Sequence, residues 1–231
     1  MSYGFRVEIQ GDYACFSRPE LKVERVSYEV ITPSAVRGIL EAVFWKPAIK
    51  YVVDQINICK PIRFENIRRN ELSSDASYKK ISIQSIEKKL LSGDLYINAS
   101  QDRTQRTAMV LRDVQYVITF HFEMTENAGS DDNVGKFCAI LRRRLEKGQN
   151  YHTPYLGVRE FPANIRLVAD NEKTPEPIPD SRSLGLMLHD IDYIKTIGKD
   201  GQVTVTSFEP TYFMAEMERG VIDLRDVEVL R

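Results

Sequence analysis

Apolar and polar residues alternate in short runs along the chain, interrupted by two stretches of helical spacing. In Phe5–Gln10, Phe5, Val7 and Ile9 alternate with Arg6, Glu8 and Gln10, which predicts a half-buried strand. Thr32 then offers a side-chain oxygen to a first-turn amide, and Pro33 stands where a missing N–H costs least. Ala35, Val36, Ile39, Leu40 and Val43 follow at helical spacing, and Pro47 ends the pattern. Gly38 interrupts this helix at about 1 kcal/mol relative to alanine, so close approach by a strand or a ligand backbone is expected there.

Residues 51–64 (YVVDQINICKPIRF) predict a second strand ending near Pro61. In 114–124, Tyr116, Ile118, Phe120 and Phe122 point one way and Val117, Thr119, His121 and Glu123 the other, a third strand. Asn133–Lys147 predicts a second helix, with Phe137, Ile140, Leu141 and Leu145 on one face, Arg142, Arg143, Arg144 and Lys147 largely on another, and Gly148 as its stop. A fourth strand is expected over 159–169.

Strand, helix, strand, strand, helix, strand is the order of a ferredoxin-like (RRM-like) α+β domain, in which two helices cover one face of an antiparallel sheet. We assign it to residues 1–170. An insertion at about 66–112 has no clean period; a short helix at 83–91 and a strand at 95–98 are expected within it. The Pro-rich Thr174–Asp180 predicts a linker, and residues 171–231 a small C-terminal antiparallel β subdomain.

Charge refines this picture. The 231 residues carry a net charge of −1, which argues against nucleic-acid binding by gross electrostatics alone. The distribution is uneven: residues 1–167 hold 25 Lys and Arg against 20 Asp and Glu, and 168–231 hold 7 against 13. One region can thus face a polyanion while the other faces solvent or a basic partner. Cys15, Cys59 and Cys138 lack the paired spacing of a zinc site, so neither a metal nor another cofactor is expected. No apolar run approaches a membrane span and no signal sequence is evident, so a cytoplasmic protein is expected.

Basic residues and aromatics mingle between the first strand and the first helix. Arg18, Lys22 and Arg25 lie among Tyr13, Phe16 and Tyr28, the mixture that touches phosphates and bases. Lys46, Arg142, Arg143, Arg144 and Arg159 extend this basic set, and Trp45 offers a stacking ring. Of the three histidines, His121 lies on the polar face of its strand, His152 in the loop QNYHTPYLG, and His189 in the acidic C-terminal part, where a structural role is expected.

Four segments resemble the CRISPR-associated Cas family five proteins of the RAMP superfamily, in the subtype I-C branch. They are GDYACFSRPELKVERVSYEVITPSAVRGILEAVFWKPAI (11–49), FHFE (120–123), GKFCAILRRRLEKGQ (135–149) and YLGVREFPA (155–163). The resemblance implies a metal-independent endoribonuclease that cuts precursor CRISPR RNA within each repeat, by attack of the RNA's own 2′-OH to leave a 2′,3′-cyclic phosphate. It further implies that the protein stays on the 5′ handle of the mature RNA, beside the backbone and large subunits of a surveillance complex. The alternative is a catalytically inactive subunit that binds the handle. A basic groove also attracts double-stranded DNA irrespective of sequence.

The family's expected groups are a Tyr or His just before the WKP tripeptide and a Lys-His pair opening the second helix; here those positions are Phe44, Lys136 and Phe137. Phenylalanine can stack on a base but cannot move a proton. Phe44 and Phe137 are therefore grouped with the RNA-binding candidates, while Lys136, His121 and His152 are the catalytic ones.

Overall fold

The computed structural model describes residues 4–21, 24–72, 100, 102–197 and 203–231. It contains β1 (Phe5–Ala14), β2 (Arg25–Val26), α1 (Pro33–Val43), β3 (Ile49–Ile58), β4 (Phe64–Leu72), β5 (Arg103–Met124), α2 (Val134–Glu146), β6 (Asn164–Leu167), β7 (Arg182–Ile197), β8 (Val203–Met217) and β9 (Val221–Asp223). The main sheet runs β6-β1-β5-β3-β9 with antiparallel neighbours, and β2 and β4 also pair with β5. The β7–β8 hairpin forms a sheet of its own.

Aromatic packing places both helices on one face of the main sheet. Phe5 stacks on Phe120 with ring centroids 5.6 Å apart, Tyr51 meets Phe120 edge-on, and Phe122 meets Phe137 of α2 at 6.5 Å. The Tyr51 hydroxyl donates to the Phe44 carbonyl at the end of α1 (2.6 Å). Both N-caps act through their side chains, Thr32 accepting from the Ala35 amide and Asn133 from the Lys136 amide. Glu8 departs from its polar position in the β1 alternation and is buried. It lies across from Arg166 in β6 and bonds both Arg166 and Gln115 of β5, which ties three neighbouring strands into one register.

Several expected boundaries move. The run 51–64 divides into β3 and the start of β4, with a break around Pro61. The strand expected over 159–169 is only Asn164–Leu167, because residues 155–162 close a turn. Gly157 holds that turn against β1: its φ is +83°, and a Cβ there would stand 2.0 Å from the Cys15 carbonyl oxygen. The segment read as a linker is bonded down, with the Ile178 amide on the Ile58 carbonyl and the Gly220 amide on Asp180.

The chain forms two compact units, 1–65 with 109–231, and 66–108. The described ends of the second unit are strand, part of β4 and the start of β5, joined by an Arg106–Glu71 ion pair (3.5 Å). The helix expected at 83–91 and the strand expected at 95–98 lie outside the described residues.

Candidate functional site

The C-terminal end of α1 is where segments distant in sequence meet. A helix ends with carbonyls that lack intrahelical partners. Here the Val43 carbonyl accepts from the Arg144 guanidinium of α2 (2.6 Å), and the Ala42 carbonyl accepts from the amides of Tyr151 (2.8 Å) and His152 (3.5 Å). A cation at this end is also favoured by the helix dipole. The contacts hold loop 149–155 over the helix end and leave Trp45, Lys46, Tyr151 and His152 facing solvent; Trp45 is 53% exposed and Tyr151 86%. The Tyr151 and His152 rings meet edge to face at 6.0 Å.

Beneath this surface lie Phe44 and Phe137, 3% and 1% exposed, with ring centroids 5.9 Å apart. The Arg144 guanidinium covers the Phe44 ring at 5.2 Å. Their expected part in RNA binding is corrected: both rings belong to the core between α1, α2 and β5 and present no face to a base.

Lys136 follows the N-cap of α2, next to Phe137, with its ammonium outside. Its Nζ donates to Asp132 Oδ1 (3.1 Å) and the Asp131 carbonyl (3.4 Å). The Gly129 amide first, and Lys136 second, hold the Asp132 carboxyl below its ordinary range. Lys46 adds a smaller pull in the same direction.

His121 points to the other side of β5 from Phe120 and Phe122. Its Nδ1 meets both carboxylate oxygens of Asp54 (2.9 and 3.0 Å), and its ring borders a cavity of about 530 Å³ with Thr119, Gln55 and Arg225. The three catalytic candidates therefore do not form one cluster. Lys136 adjoins Phe137, whose ring packs on Phe44 just past α1, and His152 is bonded to Ala42 in the last turn of α1, whereas His121 belongs to the sheet face away from the helices.

The basic loop lies at the opposite end of α1. Arg18 stacks over Tyr28 at 4.6 Å and pairs with Glu20 (3.7 Å), while Arg25 pairs with Glu160 (3.9 Å); Lys22 lies outside the described residues. The 11 residues of α1 span about 16 Å at 1.5 Å each, so the basic loop and Lys136 are not neighbours. Segment 150–162 connects the two ends. It touches Ala42 through Tyr151, the residue just after β1 through the Cys15 amide on the Leu156 carbonyl (3.0 Å), and Arg25 through Glu160. Arg159 is exposed on this segment. On α2, Arg142 lies over the Phe5 ring (5.6 Å) and Arg143 is exposed.

Sequence reasoning missed the prominence of Tyr151 and the structural duty of Arg144, both of which depend on a loop capping a distant helix. Among the described residues, no group of three His, Cys, Asp or Glu side chains could hold a metal ion, and no helix is long and apolar enough to cross a membrane.

Residues 4–225 match the family model Cas_Cas5d, described as CRISPR-associated protein (Cas_Cas5). The chain is 49% identical over 228 residues to the CRISPR pre-crRNA endoribonuclease Cas5d of Mannheimia succiniciproducens, covering 97% of this chain and 96% of that protein. It is 36% identical over 230 residues to the protein of the same name from Thermus thermophilus, covering 95% and 90%. A crystal structure of a CRISPR-associated protein shares its fold, with a TM-score of 0.64 at 23% identity, over 96% of this chain and 92% of that one.

Proposed function

We propose, from the premise that this chain belongs to the CRISPR-associated Cas5 family and to its Cas5d branch, that it is an endoribonuclease that cleaves precursor CRISPR RNA. The RNA supplies its own nucleophile, the 2′-OH beside the scissile phosphate. The protein then has to bend the strand in line, neutralise the phosphorane and move two protons. The observation that carries the site is the convergence at the end of α1. Lys136, beside the Phe137 ring that packs on Phe44, offers a positive charge, and His152, bonded to Ala42, an imidazole, with Trp45 and Tyr151 as exposed rings for the bases.

In this reading Lys136 leaves Asp132 for the phosphate oxygens, and His152 acts as the proton-transfer group. Arg18, Arg25, Lys46 and Arg159 hold the backbone along segment 150–162 and at its two ends, and Lys22 and Arg143 add to the basic set. His121, clamped by Asp54 on the other sheet face, serves the fold. We read the core as ferredoxin-like, supported by the strand order β6-β1-β5-β3 with α1 and α2 on one face. After cleavage the protein stays on the 5′ handle in a surveillance complex in the cytoplasm.

One gel tests the reading. Purified protein is incubated with its cognate repeat RNA in EDTA, and a single cut is expected, with affinity falling as salt rises by roughly 0.7 in log K per log salt for each phosphate contacted. RNA bound without a cut would leave only the handle-binding role. A salt-independent affinity, or equal preference for double-stranded DNA, would remove the RNA site itself.

A further inference from the structure

A second concavity, lined by neither Lys136 nor His152, lies between the N-terminal half of α1 and the β7–β8 hairpin. It holds about 330 Å³, near the lower end of ligand clefts, which run from about 300 to 1,000 Å³. Ser34, Ala35 and Gly38 form its floor on the exposed side of α1, and Ser17, Tyr155 and Tyr193 stand around it.

Two observations mark it as a site. The first is Gly38. Its backbone is not left-handed, and a Cβ added there would meet nothing within 4 Å. Neither conformation nor packing against the protein calls for a residue so poor at forming helix. The second is a set of idle hydroxyls: those of Ser34, Tyr155 and Tyr193 make no hydrogen bond to any described residue, and the Tyr193 side of the cavity is open, that residue being 54% exposed. A cleft with a bare floor, aromatic sides and unused donor-acceptor groups suits a flat molecule with a polar edge. Arg18, next to Ser17 in the chain, stacks over Tyr28 and pairs with Glu20.

We propose that this cavity receives one unstacked base of the bound RNA, resting on the RNA-binding reading above. The base lies over Gly38, its face against a tyrosine ring and its edge within reach of the three hydroxyls. Because the cavity lies along α1 from its C-terminal end, the captured base is displaced from the scissile phosphate. It fixes the register of the strand and takes no part in the bond change.

The test uses the full chain and its cognate repeat RNA carrying 5-iodouridine at one position at a time, with photocrosslinks located by mass spectrometry. One position is expected to crosslink to Tyr155 or Tyr193. Gly38→Ala is expected to raise the thermal midpoint yet weaken RNA binding at least fivefold, and Gly38→Leu to weaken it more than tenfold. A merely structural glycine would not separate stability from affinity in this way. Gly38→Leu binding within twofold of wild type, or no crosslink to either tyrosine from any position, overturns the pocket alone. Wild-type protein that binds no repeat RNA overturns the functional reading before any variant is made.

Discussion

Phe137→Ala separates a core residue from a stacking platform. Phe137 is 1% exposed, against Phe44 at 5.9 Å and Phe122 at 6.5 Å. A buried aromatic removes about 150–250 Å² from water, which at about 25 cal/mol/Å² amounts to roughly 4–6 kcal/mol. Alanine retains a minor part of that, and truncations of buried phenylalanine cost about 3–5 kcal/mol. Because domains are stable by only about 5–15 kcal/mol, this is a large share of the total. Urea unfolding followed by circular dichroism should show the midpoint falling by roughly 1–2.5 M for a slope of about 2–3 kcal/mol/M. Trp45→Ala is the control: at 53% exposure it should stay within about 0.5 kcal/mol of wild type while weakening RNA binding. A Phe137→Ala midpoint within about 0.2 M of wild type, at unchanged slope, would show that the ring supports little of the core.

Three further outcomes are expected. Lys136→Ala should slow single-turnover cleavage by about 100-fold or more, the scale for removing one group that stabilises developing charge, with RNA affinity changed little; an unchanged rate removes Lys136 from the site. Gly157→Ala should destabilise by more than about 2 kcal/mol in the same urea assay, since alanine meets both a left-handed φ and the Cys15 carbonyl; a neutral effect would mean that the 155–162 turn is not held as described. Burial holds the His189 imidazole below its ordinary value of 6.5. The unfolded chain therefore takes up a proton there before the native protein does, and stability contributed by the neutral ring is lost as pH falls below about 6.5. His189→Leu should flatten unfolding free energy against pH between 6.5 and 5, and an unaltered slope would exclude His189 as its source.

What the sequence disclosed and what it hid follow from the range of the forces involved. Both helices were legible because capping and 3.6-residue spacing are local: Thr32, Pro33 and Asn133 mark the starts that the structure contains. The strand ending in FHFE was legible for the same reason, since Phe120 and Phe122 alternate against His121 and Glu123. β4 escaped because FENIRRNEL carries few apolar residues, although its side chains alternate between exposed and half-buried. The turn at 155–162 escaped because Gly157 answers to Cys15, far away in the chain. In the site, Lys136 and His152 were legible as chemistry, but the bond of the His152 amide to Ala42 and the packing of Phe137 on Phe44 were not. Phe44 and Phe137 looked available for stacking because a sequence shows a ring without showing what covers it.

The pairing of β9 with β3 has a consequence for biosynthesis. Gln55, Ile56 and Asn57 find their outer partners only in Val221, Ile222 and Asp223. During translation, that margin of the nascent sheet stays unpaired until almost all the other strands have left the ribosome. An emerging chain held at residue 200 would expose a sticky edge to its neighbours on the polysome. Chaperone demand should therefore peak late in synthesis and fall once residues 221–223 emerge.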